Sequence, residues 1–132
     1  MKTIRFPYKK INNYILIKLI EYDTYKKYKK ITYQYEKYIN QELVLTNKHR
    51  NFKPAVVIYS NNKIVEYQFW EHGKLHRVYG PAIMRFVNKD FTQKEWYLNG
   101  VKLDGDELKT HQKIINRKLK MLKLIYNIKN KN

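Results

Sequence analysis

The stretch HRNFKPAVVIYSNNKIVEYQFWEHG, residues 49–73, is followed at residues 76–100 by HRVYGPAIMRFVNKDFTQKEWYLNG. The two align without a gap. His49 and His76, Pro54 and Pro81, Phe69 and Trp96, and Gly73 and Gly100 are each 27 residues apart, and a constant offset across several landmarks marks a structural repeat. Each copy reads as a β-hairpin unit. His72-Gly73 and Asn99-Gly100 separate apolar runs, and a type I′ turn needs positive φ at both of its central residues, which Asn-Gly supplies at least cost. Gly80-Pro81 punctuates the next passage, and Pro81, with no N–H to donate, belongs at a strand start or on an edge. Val65, Tyr67 and Phe69 fall on one face of a strand and Glu66 and Gln68 on the other. In the preceding strands Val57 and Tyr59 match Met84 and Phe86, and Trp96 and Leu98 take the face of Phe69. The strands predicted here are about 54–60, 63–71, 74–78 with 82–87, 93–98, and a short piece at 101–103.

The order Trp96-Tyr97-Leu98-Asn99-Gly100, and His72-Gly73-Lys74-Leu75 ahead of His76-Arg77-x-x-Gly80-Pro81-Ala82, resembles the W-Y-x-N-G-K-L-H-R-x-x-G-P-A repeats of uncharacterised proteins from large DNA viruses and large phages. More loosely it is similar to MORN-type repeats, which stack β-hairpins into an open sheet. The likeness covers about residues 46–103. The first copy departs from the pattern at Lys53, where the repeat has Gly, and at His72, where it has Asn. A third copy fails at Asp104-Gly105. The landmarks 27 residues upstream, Tyr22 and Lys27, do not match either. The resemblance implies a scaffold or binding role, carries no catalytic residues, and points to a virion or to the host cytoplasm of an infected cell.

Around this centre, 132 residues make one domain with a modest core. The absence of cysteine excludes disulfides and thiolate zinc sites. The longest apolar stretch, Tyr14 to Ile20, is interrupted by Lys18 and is too short for a signal or spanning segment, so no membrane insertion is expected. The formal charge of +17 invites a polyanion partner, yet 23 of the 28 basic residues are lysine in a chain also crowded with Asn, Ile and Tyr. All four are encoded by A/T-rich codons, so coding bias accounts for much of the charge.

Residues 1–10 read as irregular or as a short strand, with Pro7 breaking any helix. Tyr14 to Tyr22 reads as a buried strand, and Ile31, Tyr33 and Tyr35 alternate with Thr32, Gln34 and Glu36 in another. Leu43 to Thr46 leads into a turn at Asn47-Lys48. Between the first two of these strands lies Tyr25-Lys26-Lys27-Tyr28-Lys29-Lys30, basic residues interleaved with aromatics. Single-stranded nucleic acid is held by such a pattern, with lysines on phosphates and tyrosine faces on bases; a solvated basic loop has the same composition. At the other end, Asp104 and Glu107 form a capping-box pattern. It opens a helix of about 106–128 whose Leu108, Ile115, Leu119, Leu122 and Tyr126 form one stripe, beside Ile114, Met121, Ile125 and Ile128. The nearest uncovered surface for that stripe is the sheet.

Reactive chemistry is sparse. His49 and His76 occupy equivalent positions but lack a third metal ligand, and their expected role, with Arg50 and Arg77, is structural. The imidazole bonds turn backbone and the arginine stem packs along the outer face. No nucleophile elbow, phosphate-binding glycine loop or acid pair is present. The expected fold is therefore α+β: an antiparallel β-meander built from two 27-residue hairpin repeats and covered by a C-terminal amphipathic helix. It forms a single domain with a β-rich flank (1–45), the hairpin repeats (46–103) and the helix (104–132). His49, Pro54, Gly73, His76, Gly80, Pro81, Trp96, Asn99 and Gly100 are the repeat's structural positions. The expected function is a non-enzymatic scaffold, without a cofactor, offering a basic, tyrosine-rich surface to a protein partner. One alternative is a nucleic-acid-binding accessory protein using Tyr25, Lys26, Lys27, Tyr28, Lys29, Lys30, Arg50 and Arg77. Another, from a looser likeness to MORN-like antitoxins, is an antitoxin- or immunity-like binding protein.

Overall fold

A computed structural model describes residues 1–23, 25 and 27–130. The described residues form an antiparallel sheet of nine strands, a small two-stranded ladder and one helix. In chain order the strands are β1 (Lys2–Ile11), β2 (Tyr14–Tyr22), β3 (Tyr28–Ile39), β4 (Glu42–Lys48), β5 (Val56–Ser60), β6 (Lys63–Gln68), β7 (Trp70–Glu71), β8 (Lys74–Leu75), β9 (Ile83–Phe86), β10 (Thr92–Leu98) and β11 (Val101–Leu103), followed by α1 (Gly105–Lys129). The sheet order is β1-β2-β3-β5-β6-β9-β10-β11, with β4 also on β3. The long β3 makes this possible: Tyr28 to Thr32 pair with β5, and Gln34 to Ile39 pair with β4. β7 and β8 form a small separate ladder. The N-terminal flank thus belongs to the same sheet as the hairpins at 46–103.

Two-residue turns of one kind close four of the hairpins. Asn40 and Gln41, Asn61 and Asn62, His72 and Gly73, and Asn99 and Gly100 all have positive φ at both positions, the backbone that matches strand twist. Pro7 lies in a ten-residue strand rather than in irregular chain, because β1 is an edge strand and its register shifts between Pro7 and Lys9. A missing N–H is tolerated at such a place.

The two aligned stretches make the same backbone bonds. Arg50 N–H donates to Trp70 O and Arg77 N–H to Tyr97 O, both at 3.2 Å; Ala55 N–H donates to Gln68 O and Ala82 N–H to Glu95 O, both at 2.8 Å. His76 N–H donates to Phe69 O, and His49 N–H donates to Tyr33 O, each at 3.0 Å. Tyr33 N–H in turn donates to Ala55 O as Phe69 N–H does to Ala82 O, at 2.7 Å. Tyr33 therefore occupies in the flank the place that Phe69 occupies downstream. From Tyr33 to His49 is 16 residues and from Phe69 to His76 is 7, the difference being the longer β3–β4 hairpin.

Enclosure is slight. Ile17, Ala55, Val56 and Ala82 are fully buried, with Val57, Phe69, Ile83 and Ile115 nearly so. The helix does not cover the sheet, contrary to the expectation from its apolar stripe. Its first turns dock at the β10–β11 end, where His111 lies edge-on to Trp96 at 5.8 Å and 3.0 Å from Val78 O, and Ile115 is 3% exposed. From Asn116 to Asn130 every residue is exposed. The stripe is wide enough to be buried, but no sheet surface passes alongside it. Asp104 holds the N-cap position with an extended backbone, but its side chain makes no capping bond, so the expected capping box does not form.

Candidate functional site

Directly paired residues in an antiparallel ladder share a face, so the register sorts the side chains. One row runs Ile4–Ile20–Ile31–Val57–Tyr67–Met84–Lys94. On the same face lie Lys2–Tyr22–Lys29–Tyr59, Phe6–Lys18–Tyr33, Lys9–Leu16–Tyr35 and Ile11–Tyr14–Lys37. These rows alternate aromatic rings with six lysines and contain no carboxylate. The opposite face holds Thr3–Glu21–Lys30–Ile58–Glu66–Arg85–Gln93 and Arg5–Leu19–Thr32–Val56–Gln68–Ile83–Glu95, together with Ile15–Glu36–Thr46. Glu21, Glu36, Glu66 and Glu95 therefore all lie on one side, here the carboxylate face. Glu42 is paired with Ile39 on the other side, at the end of the β3–β4 hairpin, and Glu71 lies in the small β7–β8 ladder.

The carboxylate face is internally neutralised. Arg85 bonds Glu66 and Glu95 at 2.6 Å each, and Lys102 reaches Glu95 at 3.1 Å. Trp70 Nε1–H donates to Gln68, which donates to Glu66. Arg5 and the Tyr38 hydroxyl each donate to Glu36 at 2.6 Å. Burial alone would raise the Glu36 pKa, but these two donors outweigh it and hold the carboxyl below its ordinary range. Glu95 is likewise held down, first by Lys102, against the opposing effect of burial, and with help from Arg85.

On the aromatic face cations lie over rings rather than against acids. Lys29 Nζ is 4.3 Å from the Tyr59 centroid, Lys18 Nζ 5.8 Å from Tyr33 and Lys37 Nζ 5.6 Å from Tyr14. Arg50 and Arg77, expected to point outward, instead fold down over Tyr33 and Phe69 at 3.9 Å. Each also donates through Nη1 to a proline carbonyl, Pro54 and Pro81, at 3.2 Å. His49 Nδ1 accepts the His72 N–H and His76 Nδ1 accepts the Asn99 N–H, at 3.0 and 2.9 Å.

At the N-terminal end of this face is a groove of about 510 Å³ lined by Tyr8, Tyr14, Tyr35, His49, His72 and Arg50, with Lys9 and Asn51 beside them. The His49 and His72 rings are 4.5 Å apart, and Tyr35 stands edge-on to Tyr14 at 5.2 Å. Asn47 Nδ2 donates to the Tyr35 hydroxyl at 2.7 Å, fixing that ring. Burial and then the neighbouring His72 push the His49 pKa below its ordinary value. Among the described residues no group of three or more His, Cys, Asp or Glu could hold a metal, and no helix is long and apolar enough to cross a membrane.

The candidate segment at 25–30 does not form one surface. Tyr25 is 84% exposed in the β2–β3 turn, and Lys27 N–H is tied to Asp23 Oδ1. Lys26 lies outside the described residues. Strand alternation then splits the rest: Lys29 faces the aromatic side, while Lys30 is paired with Glu21 on the other and Tyr28 shares that side. Sequence reasoning passed over Tyr8, Tyr14, Tyr22, Tyr59, Lys9, Lys18 and Lys37. Their signal was present as i, i+2 spacing, Tyr14-x-Leu16-x-Lys18-x-Ile20-x-Tyr22, half hidden by apolar Ile15, Ile17 and Leu19 on the other face. Compared with protein-family models, curated proteins and solved structures, the chain matches none.

Proposed function

We propose that this protein is a non-enzymatic β-repeat scaffold that offers its aromatic, lysine-bearing face to single-stranded nucleic acid. In this reading three hairpin modules follow one another. The first, with Tyr33 and His49 at its landmark positions, was lengthened between them and so escaped the constant offset. The observation that carries the function is the sorting of charge: in the rows that cross the sheet Glu21, Glu36, Glu66 and Glu95 lie on one face, and rings and lysines share the other, where Glu42 enters only at the end of the β3–β4 hairpin. Coding bias raises lysine everywhere, but it does not sort carboxylates. Rings flanked by cations stack on bases and neutralise phosphates, and only a single strand exposes both together. The test is a salt titration with single-stranded and duplex DNA. The single strand binds more tightly, and log K falls linearly with log salt as counterions are released. Failure of either DNA to bind at low salt ends this reading.

A second reading rests on the helix. Leu119, Leu122, Ile125 and Tyr126 are exposed along one side of it, with Lys113, Arg117 and Lys120 gathered on the opposite side. A second copy would bring the same cations, so an acidic protein with an apolar groove is the better-matched partner for this stripe. Such a complex persists in moderate salt and is lost on Leu122→Asp with Ile125→Asp. A complex untouched by those substitutions, or one that salt alone disperses, counts against it.

A further inference from the structure

The groove between β1–β2 and the β7–β8 turn has a smaller counterpart in the next module, about 240 Å³ and lined by Phe69, Glu71, His76, Arg77 and Val78, but its aromatic lining is not repeated there. Counting two residues on from the equivalent Tyr33 and Phe69, Tyr35 corresponds to Glu71, and Glu71 lies 3.7 Å from His76. At the turn, His72 corresponds to Asn99, with φ of 50° and 48°. Two rings of the first module are thus a carboxylate and an amide in the next, and Tyr8 and Tyr14 come from strands that only the N-terminal end possesses. The groove falls within the roughly 300–1,000 Å³ typical of small-ligand sites and is walled by five π-systems.

We propose that this groove seats one unpaired nucleobase of a bound strand, with Lys9 and Arg50 taking the adjoining phosphates. The proposal rests on the reading of the aromatic face as a single-strand platform. Its walls supply ring faces and edges for stacking, and His49, His72 and Asn51 supply donors and acceptors for a base edge. Arg50 uses one of its N–H groups on Pro54 O, which leaves the others of its five donors for phosphate. An aromatic cage for a cation is the competing chemistry for such walls. The lining holds no carboxylate and carries Lys9 and Arg50, so a cation is repelled where an anionic nucleotide is attracted. The groove is also continuous with the platform, because Tyr8 meets Tyr33 edge-on at 6.2 Å and Arg50 covers that same ring.

The test compares a fluorescent oligothymidylate of roughly 12 nucleotides with an abasic strand of the same length, on the intact chain and on two variants. His72→Asn installs the residue the next module already carries at this turn, so the hairpin is retained. Tyr14→Ala removes one wall, with circular dichroism as the check on folding. Each variant weakens the thymidylate strand by about tenfold and leaves the abasic strand unchanged. Equal weakening of both strands, or of neither, overturns the base pocket and leaves the platform reading standing. Failure of the unaltered protein to bind either strand at low salt removes both. Saturation of the groove by thymidine 5′-monophosphate as tightly as by the strand overturns the strand assignment in favour of a free nucleotide.

Discussion

At the scale of single residues, the hairpin ends are set by backbone sign and by two imidazoles. Gly73 and Gly100 sit at φ of 78° and 82°, where a side chain costs about 1 kcal/mol. Their surroundings differ. A Cβ on Gly100 meets only Lys74 at 3.6 Å or more, whereas one on Gly73 would stand 2.5 Å from Asn47 Oδ1. Asn47 holds the Tyr35 hydroxyl, so Gly73→Ala should cost about 1 kcal/mol more than Gly100→Ala, the value of the disturbed hydrogen bond. Urea unfolding midpoints of the two variants measure the difference, and equal losses would place no weight on Asn47. His49 gives the residue scale a pH dependence. Burial and His72 lower its pKa in the folded state, so below the ordinary value of about 6.5 the unfolded chain binds a proton that the folded chain resists. Stability therefore falls as pH drops from that value towards the lower folded one, and His49 contributes no slope above it. His49→Gln flattens the urea midpoint between about pH 5 and pH 7 if this account holds; an unchanged slope assigns the effect elsewhere.

At the scale of elements, the helix separates what a sequence can state from what it cannot. Its start, length and apolar stripe were legible, since 3.6-residue periodicity depends only on local order. What covers the stripe depends on where the sheet ends, and no local pattern carries that. Only the docked turns bear on stability: a chain ending at Lys118 keeps its unfolding free energy, from urea titration, within about 0.5 kcal/mol, while Ile115→Asp, which puts a charge at a position only 3% exposed, costs about 2 kcal/mol or more. A large loss on truncation would mean that the exposed stripe packs on the sheet after all. The hairpins divide in the same way. The turns at His72-Gly73 and Asn99-Gly100 were legible from their glycines, and Asn61-Asn62 from the gap between the strands read at 54–60 and 63–71; Asn40-Gln41 reaches the same positive φ without a glycine and was not. The place shared by Tyr33 and Phe69 was invisible at a fixed offset because the β3–β4 hairpin is longer. The candidate site was legible only as composition. Tyr25 to Lys30 read as a cluster along the chain, but a strand sends neighbours to opposite faces, and the rings that do gather come from β1, β2, β3 and the β7–β8 turn.

At the scale of the molecule, the net charge of +17 and the sorting of that charge predict different things. Net charge alone attracts any polyanion to any part of the surface, and within a Debye length of about 10 Å at 0.1 M salt it acts without regard to face. A sorted surface discriminates. Lys18 and Lys29 stand over tyrosine rings on the aromatic face, while Lys10 and Lys30 share the opposite face with Glu36 and Glu21. Replacing either pair by glutamate changes the net charge by the same amount. If the aromatic face is the binding surface, the Lys18→Glu and Lys29→Glu pair removes two phosphate contacts. The slope of log K against log salt for a single strand then falls by about 1.4, at roughly 0.7 per phosphate. The Lys10→Glu and Lys30→Glu pair shifts affinity slightly and leaves the slope intact, because counterion release reports contacts made rather than charge carried. Equal slopes for the two double variants would show that the protein attracts nucleic acid as a diffuse polycation, with neither side of the sheet built for it.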